Sequence, residues 1–205
     1  MSEPVSALAG ARAHGAVIGI EDTGLRGQVM LKSDLGSAET ARAVREIAGV
    51  DVPGTWRVAV AGMRGAVWMA PDELLLLLPY AEAPAAVARL GAMLGDGQAA
   101  RHHLALDVSD MRAVLRLSGP LVAEVLAKGV PCDLGDRAFP AGHARRTTSA
   151  GIAVALWRLE AELWEIAALR SHAHHLMAFL EDGARPGAEI GLAPARARGL
   201  YPQRG

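Results

Sequence analysis

Leu74 to Leu78 is an unbroken run of leucine, entered through a Pro71-Asp72 turn. Read from Glu73 to Leu78 as a strand, it is apolar on both faces. Such a strand belongs in the interior of a sheet with both faces covered. Around it, Gln28 to Lys32, Trp56 to Ala61 and Ala66 to Ala70 read as further strands. Ser37 is an N-cap, with Thr40 at the third position, for a helix over Ala38 to Ala48 that Gly49 ends. A second helix is predicted from Pro84 to Leu94, with Val87, Leu90, Met93 and Leu94 as its stripe and Gly95-Asp-Gly97 as its stop. His103 to Val108 then returns as a strand.

Asp107 to Leu134 is the second organising stretch. Met111 to Leu117 alternates, with Arg112, Val114 and Arg116 on one side and Ala113, Leu115 and Leu117 on the other. Ser118-Gly119-Pro120 breaks the strand, with Ser118 as a helix cap and Pro120 in a first turn. Gly129 is expected as a left-handed cap, and Pro131 keeps the helix from restarting. His143 to Ser149, Ile152 to Trp157 and Glu162 to Leu169 read as strands, with Ala150-Gly151 as a turn. Ser171 caps a last helix through Leu180, and Gly183 closes it.

The order of elements repeats. Trp68 and Trp157 each precede a Glu-Leu pair at the same spacing, Glu73-Leu74 and Glu162-Leu163. The chain therefore reads as α+β, built from two ferredoxin-like (split β-α-β) halves. The boundaries drawn are an N-terminal arm at 1–24, a first half at 25–108, a second half at 109–183 and a tail at 184–205, disordered or lying on a partner.

Composition excludes several classes. The formal net charge is −1, which gives no field drawing the chain to nucleic acid. The longest strongly apolar run is far shorter than the roughly 20 residues that span a membrane. No signal peptide is visible, and Cys132 is the only cysteine, which fits a reducing, cytoplasmic setting. It follows Pro131 with no adjacent histidine and reads as a small hydrophobe rather than a nucleophile.

No stretch carries an evident chemistry. His172 and His175 share a helical side, but a structural zinc site wants four ligands, and the pair reads as surface histidine, as do His102 and His103. Asp107, Asp110 and Asp133 flank the second stretch, where turn hydrogen bonds are the commoner role. Trp56, Trp68, Trp157 and Trp164 could stack on a planar ligand, although core or interface packing is commoner. Arg112, Arg116, Arg145, Arg146 and Arg170 form either a solvated face or a surface for an acidic partner. Dinucleotide, phosphate-loop and nucleophile-elbow motifs are absent. No catalytic, cofactor-binding or metal-binding residue is assigned.

Asp107-Val-Ser-Asp-Met-Arg-Ala-Val-Leu-Arg-Leu-Ser-Gly-Pro120, then Val125 to Gly129, Asp133-Leu134, Leu156 to Arg158 and Arg170 to Ala173 resemble the gamma subunits of heterotetrameric sarcosine oxidases. The strand-Ser-Gly-Pro-helix passage resembles, more widely, the folate-binding aminomethyltransferase (glycine cleavage T-protein) superfamily. The resemblance implies that the two halves pack as a T-protein-like folate-binding domain. It implies a small non-catalytic subunit of a complex that oxidatively demethylates sarcosine to glycine, using oxygen and tetrahydrofolate. The products are hydrogen peroxide and 5,10-methylenetetrahydrofolate. FAD, FMN, NAD and zinc would reside on the alpha, beta and delta partners. A stand-alone folate-binding or one-carbon transfer protein is the other reading the superfamily allows.

Overall fold

The computed structural model describes residues 3–13, 17–95 and 102–192. The chain divides into two compact units, one of residues 25–111 and one of residues 1–24 with 112–205. Each is an antiparallel five-stranded sheet with helices on one face.

In the 25–111 unit the strands are β2 (Gly27–Lys32), β3 (Val58–Ala61), β4 (Arg64–Ala70), β5 (Glu73–Leu78) and β6 (Leu104–Asp107), in the order β3-β4-β5-β2-β6. β5 is central and buried at every residue, as the leucine run demands. Leu74, Leu76 and Leu78 pack with Val29 and Leu31 of β2 and with Val44, Ile47, Leu90 and Leu94 of helices α1 (Ala38–Ala48) and α2 (Ala83–Gly95). Leu75 and Leu77 are buried on the opposite face. Ser37 caps α1 by accepting the Thr40 amide at 3.1 Å, and Gly49 ends it at φ 69°. Ser37→Ala is expected to cost about 1 kcal/mol. In a thermal melt that is a fall of roughly 2–4 °C. Of the stop expected after α2, Asp96-Gly97 lies outside the described residues.

The other unit has β1 (Gly19–Asp22), β7 (Arg112–Ser118), β8 (Ala144–Ser149), β9 (Ile152–Glu160) and β10 (Leu163–Leu169), in the order β1-β7-β10-β9-β8. α3 (Val122–Ala127) and α4 (Ala173–Gly183) cover it. Ala113, Leu115 and Leu117 of β7 join that helix-side core, the side their alternation assigned. β8 and β9 are joined by Ala150 and Gly151 alone, at φ 49° and 80°. Two positive φ values in a two-residue loop make a type I′ turn, which matches the strand twist.

The two sheet orders are one pattern read twice: β2 corresponds to β7, β5 to β10, β4 to β9 and β3 to β8. A single 3₁₀ turn enters both α2 and α4, at Tyr80–Glu82 and Arg170–His172. The edge strands are exchanged. β1 precedes the first half in sequence but pairs antiparallel with β7, and β6 precedes the second half but pairs with β2. The stretch read mainly as an N-terminal arm is thus partly a strand of the other unit. Asp22 fastens it by accepting the Gly10 amide at 3.0 Å and the Gly24 amide at 3.1 Å.

Several local expectations are corrected. The shared tryptophan spacing does not mark equivalent positions. Trp68 faces Leu74 across β4–β5, whereas the residue facing Trp164 at the same place in β9–β10 is Arg158. Ser118 caps nothing, because it is the last residue of β7, paired with Gly19 and Leu163. α3 starts from Leu121 with no side-chain cap. Ser171 lies in the 3₁₀ turn, so α4 begins after His172, also uncapped. Gly129 has no positive φ. Glycine is required there for room, since a Cβ would stand 2.6 Å from Phe179 Cζ and 2.9 Å from the Ala150 amide nitrogen. Residues 184–192, read as tail, fasten onto α3 of their own unit. Buried Glu124 accepts the Ile190 amide at 2.7 Å and the Gly191 amide at 3.2 Å, and Lys128 Nζ donates to the Ala188 carbonyl at 2.6 Å. The remaining tail, 193–205, lies outside the described residues.

Candidate functional site

The turn after β7, the connection between α3 and β8, and the β9–β10 hairpin enclose a cleft of about 270 Å³. Gly119 and Pro120 form one wall, Cys132 to Asp136 another, and Arg158, Ala161 and Trp164 the floor. Its size is just under the roughly 300–1,000 Å³ of small-molecule sites.

Among the described residues Arg158 is the one cation lining the cleft, and the fold uses its donors. It is 4% exposed. Nη1 donates to the Phe139 carbonyl at 2.8 Å, Nη2 to the Ala161 carbonyl at 2.5 Å and to Asp136 Oδ1 at 2.7 Å, and Nε to the Glu160 carbonyl at 3.2 Å. The guanidinium lies 4.9 Å from the Trp164 ring centroid, and Phe139 stacks on that ring at 5.0 Å. This is a planar five-donor fork holding a hairpin and a loop together.

The aspartates that the sequence singled out are similarly engaged, Asp133 at the cleft and Asp107 and Asp110 in the 25–111 unit. Asp133 accepts the Gly135 amide at 2.8 Å, and Asp107 accepts the Ser109 amide at 3.0 Å. Both are turn bonds of a residue to the amide two positions on. Asp110 accepts the Tyr80 hydroxyl at 3.2 Å. Burial pushes the Cys132 thiol above its ordinary pKa; Arg145 pulls it down and Asp133 adds to the rise. A protonated thiol is a weak nucleophile.

The cleft's groups do not suit a nucleotide or a metal. The Gly119 amide already donates to the Glu162 carbonyl at 2.9 Å, and the Val122 amide to the Gly119 carbonyl at 3.3 Å. Those N–H groups would have to cradle a phosphate. Among the described residues no group of three or more His, Cys, Asp or Glu side chains could hold a metal ion. His175 Nε2 lies 3.4 Å from the Ala150 carbonyl. No described helix is long and apolar enough to cross a membrane.

A second polar cluster lies on the opposite face of the same sheet. Register places Glu21, Arg116, Glu165 and Trp157 side by side on β1, β7, β10 and β9. Glu165 is fully buried. It accepts Arg116 Nη2 at 2.9 Å and Trp157 Nε1 at 2.9 Å. The sequence singled out Arg116 and Trp157 but not Glu165. A lone acid inside the apolar run Leu163 to Leu169 was the available signal, since a buried charge needs partners.

Comparison with known proteins places this architecture. The chain is 36% identical over 186 residues to the sarcosine oxidase subunit gamma of Corynebacterium sp. (strain P-1), covering 87% of each chain. Its structure matches a chain of the heterotetrameric sarcosine oxidase of Corynebacterium sp. U-96. The TM-score is 0.76 at 29% identity, over 92% of this chain and 98% of that one. The aminomethyltransferase T of the glycine cleavage system of Bartonella henselae shares the fold, with a TM-score of 0.56 at 18% identity, over 82% of this chain and 46% of that one. The family model that matches residues 32–186 is that of the sarcosine oxidase gamma subunit, and with that match the chain belongs to the sarcosine oxidase gamma subunit family.

Proposed function

We propose that this chain is a structural, non-catalytic subunit of a heterotetrameric sarcosine oxidase, assembled with alpha, beta and delta partners. The complex would oxidatively demethylate sarcosine to glycine with oxygen and tetrahydrofolate, releasing hydrogen peroxide and 5,10-methylenetetrahydrofolate. FAD, FMN, NAD and zinc would be carried by the other subunits. The observation that supports this reading is the use of Arg158. The cation best placed to grip an anionic ligand in the cleft spends its donors on three backbone carbonyls and Asp136.

Reconstitution tests the proposal. Mixing the remaining subunits with and without this chain, and sizing the product, should give the full flavin-bearing assembly only when the chain is present. Full assembly and turnover without it would contradict an assembly role. The T-protein-like fold keeps a folate-binding alternative worth testing in the same preparation. Titrating the isolated chain with tetrahydrofolate should leave its tryptophan fluorescence unchanged. Saturable quenching would favour the alternative.

A further inference from the structure

Two neighbouring stripes run along α3. Ala123 and Ala127, one helical turn apart, line the cleft. Glu124 and the capping residue Lys128, one position further round and likewise a turn apart, hold residues 184–192. Buried Glu124 uses one oxygen, Oε1, to accept two successive amides, those of Ile190 and Gly191. Successive N–H groups converging on one oxygen make an anion-binding concavity. Gly191 supports it at φ 78°, a left-handed value that costs glycine nothing sterically. Lys128 Nζ donates to the Gly183 and Ala188 carbonyls. The segment is thus clasped twice, by Lys128 near its start and by Glu124 near its end.

The clasp delivers the next residue, Leu192, to the cleft, where it joins Ala123 and Ala127 in the lining. Leu192 is 65% exposed, which puts it at the mouth rather than on the floor. Its own burial contributes little, so its place follows from the clasp on the residues before it. Ile190 is 50% exposed. A segment that buries so little apolar surface and rests on a few polar bonds has the makeup of one that opens locally while the fold stays intact. A molecule entering past Leu192 meets Pro120, Ala123, Ala127 and Trp164, and half-buried Cys132 lines the same space.

We propose that residues 184–192 are a strap that gates the cleft: clasped to α3 by Glu124 and Lys128 they hold Leu192 across its mouth, and unclasped they open it to a small molecule with an apolar face. The gate goes beyond the assembly role and does not depend on it, because strap, α3 and cleft all belong to one unit of the chain.

Cys132 is the only cysteine in the sequence, so thiol labelling of the full chain reports on this cleft alone. The labelling rate with a bulky maleimide is divided by the rate with methyl methanethiosulfonate, a small reagent, so that changes in the thiol's own reactivity cancel. Gly191→Ala places its Cβ in open space and acts through the left-handed backbone only. The ratio should rise about fivefold or more in that variant. It should rise as much in Leu192→Ala, whose melting temperature should match the parent's because the side chain is mostly exposed. An unchanged ratio in both variants overturns the proposal. So does a rise in Leu192→Ala alone, since the clasp would then not govern the mouth. Equal acceleration of both reagents would show the whole unit opening in place of the strap, and overturns it too.

Discussion

Arg158→Ala is expected to be the most damaging single substitution at the cleft, costing about 3–5 kcal/mol, the range for removing one partner of a buried charge network. The loss comes from orphaned acceptors more than from the ion pair. Asp136 has a side chain 54% exposed, and water can take over its solvation, so Asp136→Asn should cost under about 1 kcal/mol. The Phe139 carbonyl has no such recourse, because its residue is wholly buried. Trp164 also loses its cation–π partner. Arg158→Lys should fall between, since an ammonium keeps the charge but cannot reproduce the fork. Urea unfolding of the three variants checks the ranking. Equal costs for Arg158→Ala and Asp136→Asn would show that the ion pair dominates.

Glu165→Ala should cost about 3 kcal/mol by leaving the buried Trp157 indole N–H without its acceptor and Arg116 without its inner carboxylate. Glu165→Gln retains an acceptor for the indole and should cost about 1–2 kcal/mol. Arg116 retains an outlet, because its side chain is 41% exposed and Glu21 lies 4.0 Å away. Near-UV circular dichroism of Trp157, combined with urea unfolding, separates these outcomes. A loss no larger for alanine than for glutamine would mean that the indole bond contributes little.

Much of the fold was legible because local signals and burial agreed. The leucine run demanded a covered central strand, and β5 occupies that place. Ser37 and Gly49 punctuate α1 as their chemistry directs. What was illegible depended on pairings distant in sequence. Val17, Ile18 and Ile20 suggest a short strand within the arm, but nothing near Gly19 says that its partner is Ser118. Ser118 has the right side chain for a cap, but the sheet claims it as a strand end. Gly129 was read as a conformational device when a close neighbour, Phe179, is what excludes a side chain. Turn aspartates were legible at Asp107 and Asp133, whose bonds span two residues. Arg158 was legible only as part of a resemblance, because its acceptors come from a loop and a hairpin that only folding brings together.

The most direct measurement for the central claim is affinity capture of the tagged full chain from cells that express the other subunits, with the absorbance of the eluate recorded. The account predicts co-elution of those subunits in fixed ratio with a flavin spectrum, and no flavin on the chain when it is expressed alone. A chain that elutes without them, although they are present in the same cells, would contradict it.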